Sequence, residues 1–190
     1  MVLVSVLVAS HCYAQLNGEI IEQELNASRY GYSVVKLWGG HYEMGYAYGY
    51  LFAEDIVPAI DAAKDLVEEW GFTWSMVLAL VSTYTFKPDC IVEEFNGITD
   101  GVNDRFPEAG IIVGDVEALN LFGDVAYMFY CRSVSSWGRT VSHSGFTTIS
   151  TRRLDYSDIG LDAQYHHVIA IFEPDDGSTK WINFCWPGYV

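Results

Sequence analysis

Cys131 is the residue of this sequence with the plainest chemical potential. It opens the stretch CRSVSSW, whose alternation of small and apolar residues predicts a strand. Downstream, STRRLDY sets Arg152 and Asp155 three apart at the end of the next predicted strand. If these strands form an antiparallel hairpin, the chain that leaves Cys131 brings Arg152 and Asp155 back towards it. A guanidinium and a carboxylate beside a thiol hold its charge state and position, and such a thiolate is a nucleophile for acyl transfer. Two plainer readings compete. A lone cysteine is most often a small buried hydrophobe. An Arg–Asp pair at this spacing is most often a surface ion pair, worth under about 1 kcal/mol.

Spacing excludes several other groupings. VSHSG has Val141 where a nucleophile elbow needs glycine, and it lies in a predicted hairpin connection rather than a strand-to-helix turn. HYEMG is not H-E-x-x-H. His166 and His167 are adjacent on a predicted strand, point to opposite faces and read as ordinary strand residues. The cysteines, Cys12, Cys90, Cys131 and Cys185, show no C-x-x-C spacing. That argues against a structural zinc site, and neither a metal nor any other cofactor is expected. A thiol protease pairing Cys131 with His143 or His166 stays open as an alternative.

The elements that must position Cys131 follow from periodicity. SVVKLW predicts a short strand over 33–38, broken at Gly39-Gly40. From His41 to Trp70, Ala47, Leu51, Ile56, Ile60, Ala63 and Val67 recur at helical spacings. Pro58 should kink or divide this helix. Gly45 and Gly49 fall on one helical face at a cost in helix stability, which predicts close backbone packing there. Trp74–Tyr84 is apolar nearly all round and predicts a buried helix. Residues 90–103 and 116–129 predict two more helices, with Pro107, Gly110 and Gly114 between them. Beyond Tyr130, FTTIST, HHVIAIFEP and TKWINFCW predict strands, and DDGS predicts a turn. The expected fold class is α+β, mostly helical before Cys131 and antiparallel strands after it.

The 190 residues are 51% apolar and 15% aromatic, enough for a packed core. The formal charge of −15, from 25 acids against 10 bases, repels phosphate backbones and argues against a nucleic-acid partner. Val2–Ala9 is an apolar run far too short for a membrane span and of signal-peptide length. With Cys12-Tyr13-Ala14 as the cleavage site, residues 1–14 read as a signal peptide; an N-terminal core strand is the alternative. A signal peptide implies a secreted or extracytoplasmic protein, lysosomal or periplasmic locations included. Its removal leaves three cysteines, so at least one is unpaired within the chain. Asn26-Ala27-Ser28 is a sequon, which makes Asn26 a candidate glycosylation site.

Four segments, in order between residues 39 and 188, carry a family resemblance. GGHYEMGYAYGYLFAEDI is similar to a G-x-x-Y-E-x-G-x-x-x-G entry helix, and CRSVSSWG to a C-[TS]-S-x-x-x-x-G nucleophile strand. STRRLDYSD is similar to a G-R-N-x-D-[YWF] strand end, and PDDGSTKWINFCWPG to a P-x-D-G…PG segment. The chain thus resembles the N-terminal nucleophile (Ntn) hydrolases of the isopenicillin N acyltransferase and choloylglycine hydrolase group, with their acid ceramidase-like relatives. The resemblance implies an αββα sandwich, only partly covered by this chain. It makes Cys131 the nucleophile, Arg152 and Asp155 the motif arginine and aspartate, and Tyr130–Cys131 the autocleavage bond. Residues 15–130 would then be a helical pro-segment or α-chain, and 131–190 the start of the nucleophile-bearing β-chain. The implied activity is hydrolysis or acyl transfer at an amide C–N bond of a small-molecule substrate, with the freed α-amine of Cys131 as base. The family's oxyanion asparagine falls beyond Val190, and Asn183 precedes its place, so the chain reads as the N-terminal portion of a longer protein. Arg132, Thr151 and Arg153 depart from the family pattern. They motivate an alternative: an inactive, acidic secreted binding or structural relative that retains the fold.

Overall fold

The computed structural model describes residues 16–125, 131–136, 147–152, 159–161 and 165–189, with the backbone alone at 123–125, 131–136 and 147–152. The order is β1 (Gly18–Leu25), β2 (Gly31–Gly39), α1 (His41–Glu69), α2 (Trp74–Tyr84), α3 (Asp89–Arg105), α4 (Val113–Val125), β3 (Cys131–Ser136), β4 (Thr147–Arg152), β5 (His167–Pro174) and β6 (Trp181–Cys185). The protein is α+β. Four strands form a mixed sheet in the order β1-β2-β5-β6, and β3 and β4 form a separate hairpin.

The sheet explains why strands do not simply follow helices. β2, which precedes all four helices, runs parallel to β5, which follows them, from Tyr32↔His167 to Gly39↔Pro174. Parallel neighbours need a long crossover, and the helical segment and the β3–β4 hairpin together supply it. Period-two alternation buries Ser33, Val35 and Leu37 of β2 and Val168, Ala170 and Phe172 of β5 on one face. Against that face lie Met44, Ala47, Tyr48, Ile56 and Ile60 of α1. β1 was not expected from the sequence. GEIIEQEL is an exposed edge strand with an irregularity between Ile20 and Glu22, so its alternation is broken. Glu19, Glu22 and Glu24 line it, and charge on an open edge discourages pairing with another chain.

Helix α1 runs through Pro58 but bends at Phe52, where φ is −114° and ψ is 17°. The bend lies six residues before Pro58, beyond the turn from Glu54 to Val57 that a proline ring presses. The close packing expected at Gly45 and Gly49 is present and reciprocal. A Cβ at Gly45 or Gly49 would collide with the carbonyl oxygen of Glu94 or Ile98. One at Gly97 or Gly101 of α3 would collide with that of Tyr42 or Tyr46. Outside this contact, Tyr42 and Tyr46 donate hydrogen bonds of 2.8 Å to Asp100 and Asp104. Burial, then those carboxylate acceptors, push both phenols up to about 12. Gly49→Ala sets about 1 kcal/mol of helix propensity gained against a clash with backbone that cannot rotate away. Overpacking of this kind costs about 1–3 kcal/mol or more. The expected result is net destabilisation, read as a lower Tm by circular dichroism; an unchanged or raised Tm would contradict the packing.

Helix α2 corrects the sequence reading. Of its residues only Val77 and Val81 are buried, while Met76, Leu80 and Tyr84 are exposed. A uniformly apolar helix carries no sign of which side has a neighbour, and here α4 supplies the main one. Among the described residues no helix is long and apolar enough to cross a membrane.

Candidate functional site

The hairpin sets the geometry of the predicted nucleophile. Cys131 is the first residue of β3 and Arg152 the last of β4. The antiparallel register makes the two direct cross-strand partners, followed by Arg132↔Thr151 and Ser133↔Ser150. The fold therefore brings Cys131 and Arg152 to one end of one ladder. Tyr130 and Asp155 lie outside the described residues, as do His143, Arg153 and the proposed signal peptide. The register adds a relation that the sequence did not show. Arg132 and Thr151, two of the three departures from the family pattern, are partners of each other in the rung next to Cys131.

The other described cysteines differ in setting. Cys185 is buried beneath the Tyr48 hydroxyl, and burial pushes its thiol up to about 12. It is a packing residue rather than a rival nucleophile. Cys90 is a free thiol, half-buried on α3. Asn183 is committed within β6, where its side-chain amide donates to the Tyr189 carbonyl at 3.4 Å.

Two buried polar clusters were missed by the sequence reading. In the first, Ser33 Oγ lies 2.7 Å from His166 Nε2, and His166 Nδ1 lies 3.0 Å from Asp55 Oδ2. Arg29 clamps the same carboxylate, donating from Nε at 2.7 Å and from a terminal nitrogen at 2.5 Å. The connectivity is that of a Ser–His–Asp triad. The setting is not, because Ser33 and His166 are fully buried, and Ser33 also accepts a hydrogen bond from Gln23. The cluster ties β1, β2, the β1–β2 turn, α1 and the start of β5 together. Both ring nitrogens of His166 are used within it, Nε2 on Ser33 and Nδ1 on Asp55, which corrects its reading as an ordinary strand residue. Burial pushes the Asp55 carboxyl up, but the His166 and Arg29 hydrogen bonds outweigh it, and Asp55 sits below the usual carboxylate range. The signal was present in the sequence: Asp55 falls on the stripe of Phe52, Ile56 and Ala59, where a carboxylate needs a buried partner.

The second cluster sits at the start of α1. His41 Nδ1 is 2.5 Å from Glu94 of α3, and His41 Nε2 is 3.5 Å from Asp176 of the β5–β6 turn. Trp181 stacks on the His41 ring. The Asp175 backbone N–H donates to the Gly39 carbonyl at 3.1 Å. The P-x-D-G turn therefore braces the entry helix, two of the motif segments in direct contact. The PG segment has its own tie, the Gly188 carbonyl accepting from buried Asn120 of α4 at 2.8 Å. Among the described residues no set of His, Cys, Asp and Glu is arranged to hold a metal ion.

Burial raises the Glu94 carboxyl above the usual range, its bond to His41 pulling the other way. A carboxyl that keeps its proton more tightly when folded adds stability that is full below about pH 4.3, its unfolded value. That stability is lost as pH rises through the higher folded value. Glu94→Gln removes this dependence. Between pH 4 and 7, urea unfolding should therefore show the variant losing less stability than the native chain. Equal losses would contradict a raised Glu94. No family model, no curated protein and no solved structure matches the chain.

Proposed function

We propose that this chain carries the thiol nucleophile of a secreted Ntn hydrolase or acyltransferase that acts on an amide C–N bond of a small-molecule substrate. The observation that supports it best is the register of Cys131 against Arg152 at the end of the β3–β4 ladder. In the precursor, the Cys131 thiol attacks the carbonyl of Tyr130, the peptide becomes a thioester, and water releases a chain that begins at Cys131. The freed α-amine has an ordinary pKa of about 7.7–8.0, suited to a base near neutral pH. It takes the thiol proton as the sulfur attacks the substrate amide. The amine then leaves, and water or a second amine resolves the thioester. Arg152 and Asp155 hold and polarise the nucleophile, Arg152 stabilising the thiolate by its fixed charge. Oxyanion stabilisation at such a centre is worth about 10²–10³ in rate per donor.

Two features of the fold agree with this reading. The outer face of the mixed sheet carries exposed Ile182 and Phe184, the kind of apolar surface that a second sheet covers in an αββα sandwich. The β2–β5 ladder joins the proposed pro-segment to the proposed β-chain over eight residue pairs. Scission at Tyr130–Cys131 should therefore leave two pieces that stay together under native conditions. Mass analysis tests this: one complex in native buffer, and in denaturant two chains, one starting at Cys131. An active but uncleaved chain would sink the mechanism.

The second reading, a non-catalytic binding or structural relative, is favoured by the rung Arg132↔Thr151, where both family-pattern residues are replaced together. Iodoacetamide separates the two. A nucleophilic Cys131 is labelled fast near neutral pH, and a structural one is not.

A further inference from the structure

We propose that Asn26 is N-glycosylated, and that the glycan shields the end of the open edge strand β1. Asn26-Ala27-Ser28 is the one Asn-x-Ser/Thr site in the sequence, and all three residues are exposed in the turn between β1 and β2. The turn is held by its backbone, Asn26 N–H donating to the Tyr30 carbonyl at 3.0 Å and Arg29 N–H to the Asn26 carbonyl at 2.9 Å. Arg29, in the left-handed region with φ of 63°, fastens it to Asp55 of α1.

The Asn26 side chain is committed on one side only. Its Oδ1 accepts from the backbone N–H of Ser28 at 2.9 Å and of Tyr30 at 3.1 Å. Among the described residues, Asn26 Nδ2 and Ser28 Oγ make no hydrogen bond. The two groups that glycosyl transfer needs, the carboxamide nitrogen and the hydroxyl two residues on, are thus the two the fold leaves free. The donor is a lipid-diphosphate-linked oligosaccharide. The Nδ2–C1 bond forms, the C1–O bond to diphosphate breaks, diphosphate leaves with the electron pair, and Nδ2 gives up one proton. Converting the free N–H₂ to a substituted amide leaves both Oδ1 hydrogen bonds in place, so the folded turn accepts the modification unchanged. A bulky polar group at the end of β1 also obstructs edge-to-edge pairing, adding to the protection from Glu19, Glu22 and Glu24.

This inference rests on the extracytoplasmic part of the functional reading and is independent of Cys131 chemistry. The test is translation of the full chain with endoplasmic-reticulum microsomes, followed by protease protection and by treatment with an asparagine-amide glycosidase. The expected result is a protected chain with a glycosidase-sensitive mass increase. Ser28→Ala should lose the increase completely. This variant keeps the Ser28 N–H and therefore the turn, whereas Asn26→Gln disturbs it. A protected chain without the increase, or an increase that survives Ser28→Ala, would overturn the site and leave the extracytoplasmic reading standing. An unprotected, unmodified chain would overturn both.

Discussion

Cys131→Ala should yield a single chain uncut between residues 130 and 131, where the proposed mechanism expects the native protein to yield a piece that begins at Cys131. The loss is expected to be complete, because alanine supplies neither the sulfur that attacks the Tyr130 carbonyl nor the thioester that water resolves. Cys131→Ser should cut slowly, since a hydroxyl attacks the same carbonyl but ionises far less readily than a thiol. Arg152→Gln should slow both cutting and iodoacetamide labelling while leaving the chain folded, because it removes the cation that favours the thiolate. Each unit by which the thiol pKa rises lowers the thiolate fraction about tenfold at a pH below that pKa. Arg152→Lys should fall between, retaining the charge but not the planar fork. Cutting that persists in Cys131→Ala would assign the scission to another protease and remove the autocatalytic step.

Asp55→Ala is expected to be strongly destabilising. It strands His166, which is fully buried, and leaves Arg29, which is about one-third exposed, with its surface ion pair to Glu54. Removing one partner of a buried ion pair costs about 3–5 kcal/mol. The lower end applies here, because Arg29 can turn to water and recover solvation. For a chain of this size each kcal/mol lowers Tm by about 2–4 °C, so the fall should approach 10 °C. The pH dependence separates this cause from simple cavity formation. Asp55 has a lowered folded pKa, so its contribution is present above about pH 3.9 and is lost as pH falls through the folded value. Native and Asp55→Ala stabilities should converge in acid. A constant difference down to pH 2 would mean that lost packing, not lost charge, sets the cost.

The legible parts of this protein were those written in local pattern. Strands at 33–38, 147–152 and 167–174 and helices at α1, α3 and α4 were readable because their apolar residues repeat at a single period. The close approach at Gly45 and Gly49 was readable because glycine inside a helix is costly and must be repaid by packing. The start of β3 at Cys131 was readable from the change of period there. β1 was not, because an exposed edge strand with a broken alternation has no apolar stripe. The exposure of α2 was not, because an apolar sequence says that a helix can be buried and not that a neighbour exists to bury it.

Residue types and spacing alone set out the candidate nucleophile, the hairpin that would return Arg152 towards it, the sequon and the α+β class. Those features depend on neighbours in sequence or on one hairpin, where chain connectivity leaves little choice. The pairing of His166 with Ser33 and Asp55, of His41 with Glu94 and Asp176, and of Arg132 with Thr151 was settled only when the chain folded. The first two join residues 53 to 135 positions apart, and the third depends on a register that slips by one residue at a time. A buried polar group must find its partner in three dimensions, and no periodicity in one dimension names which partner that will be.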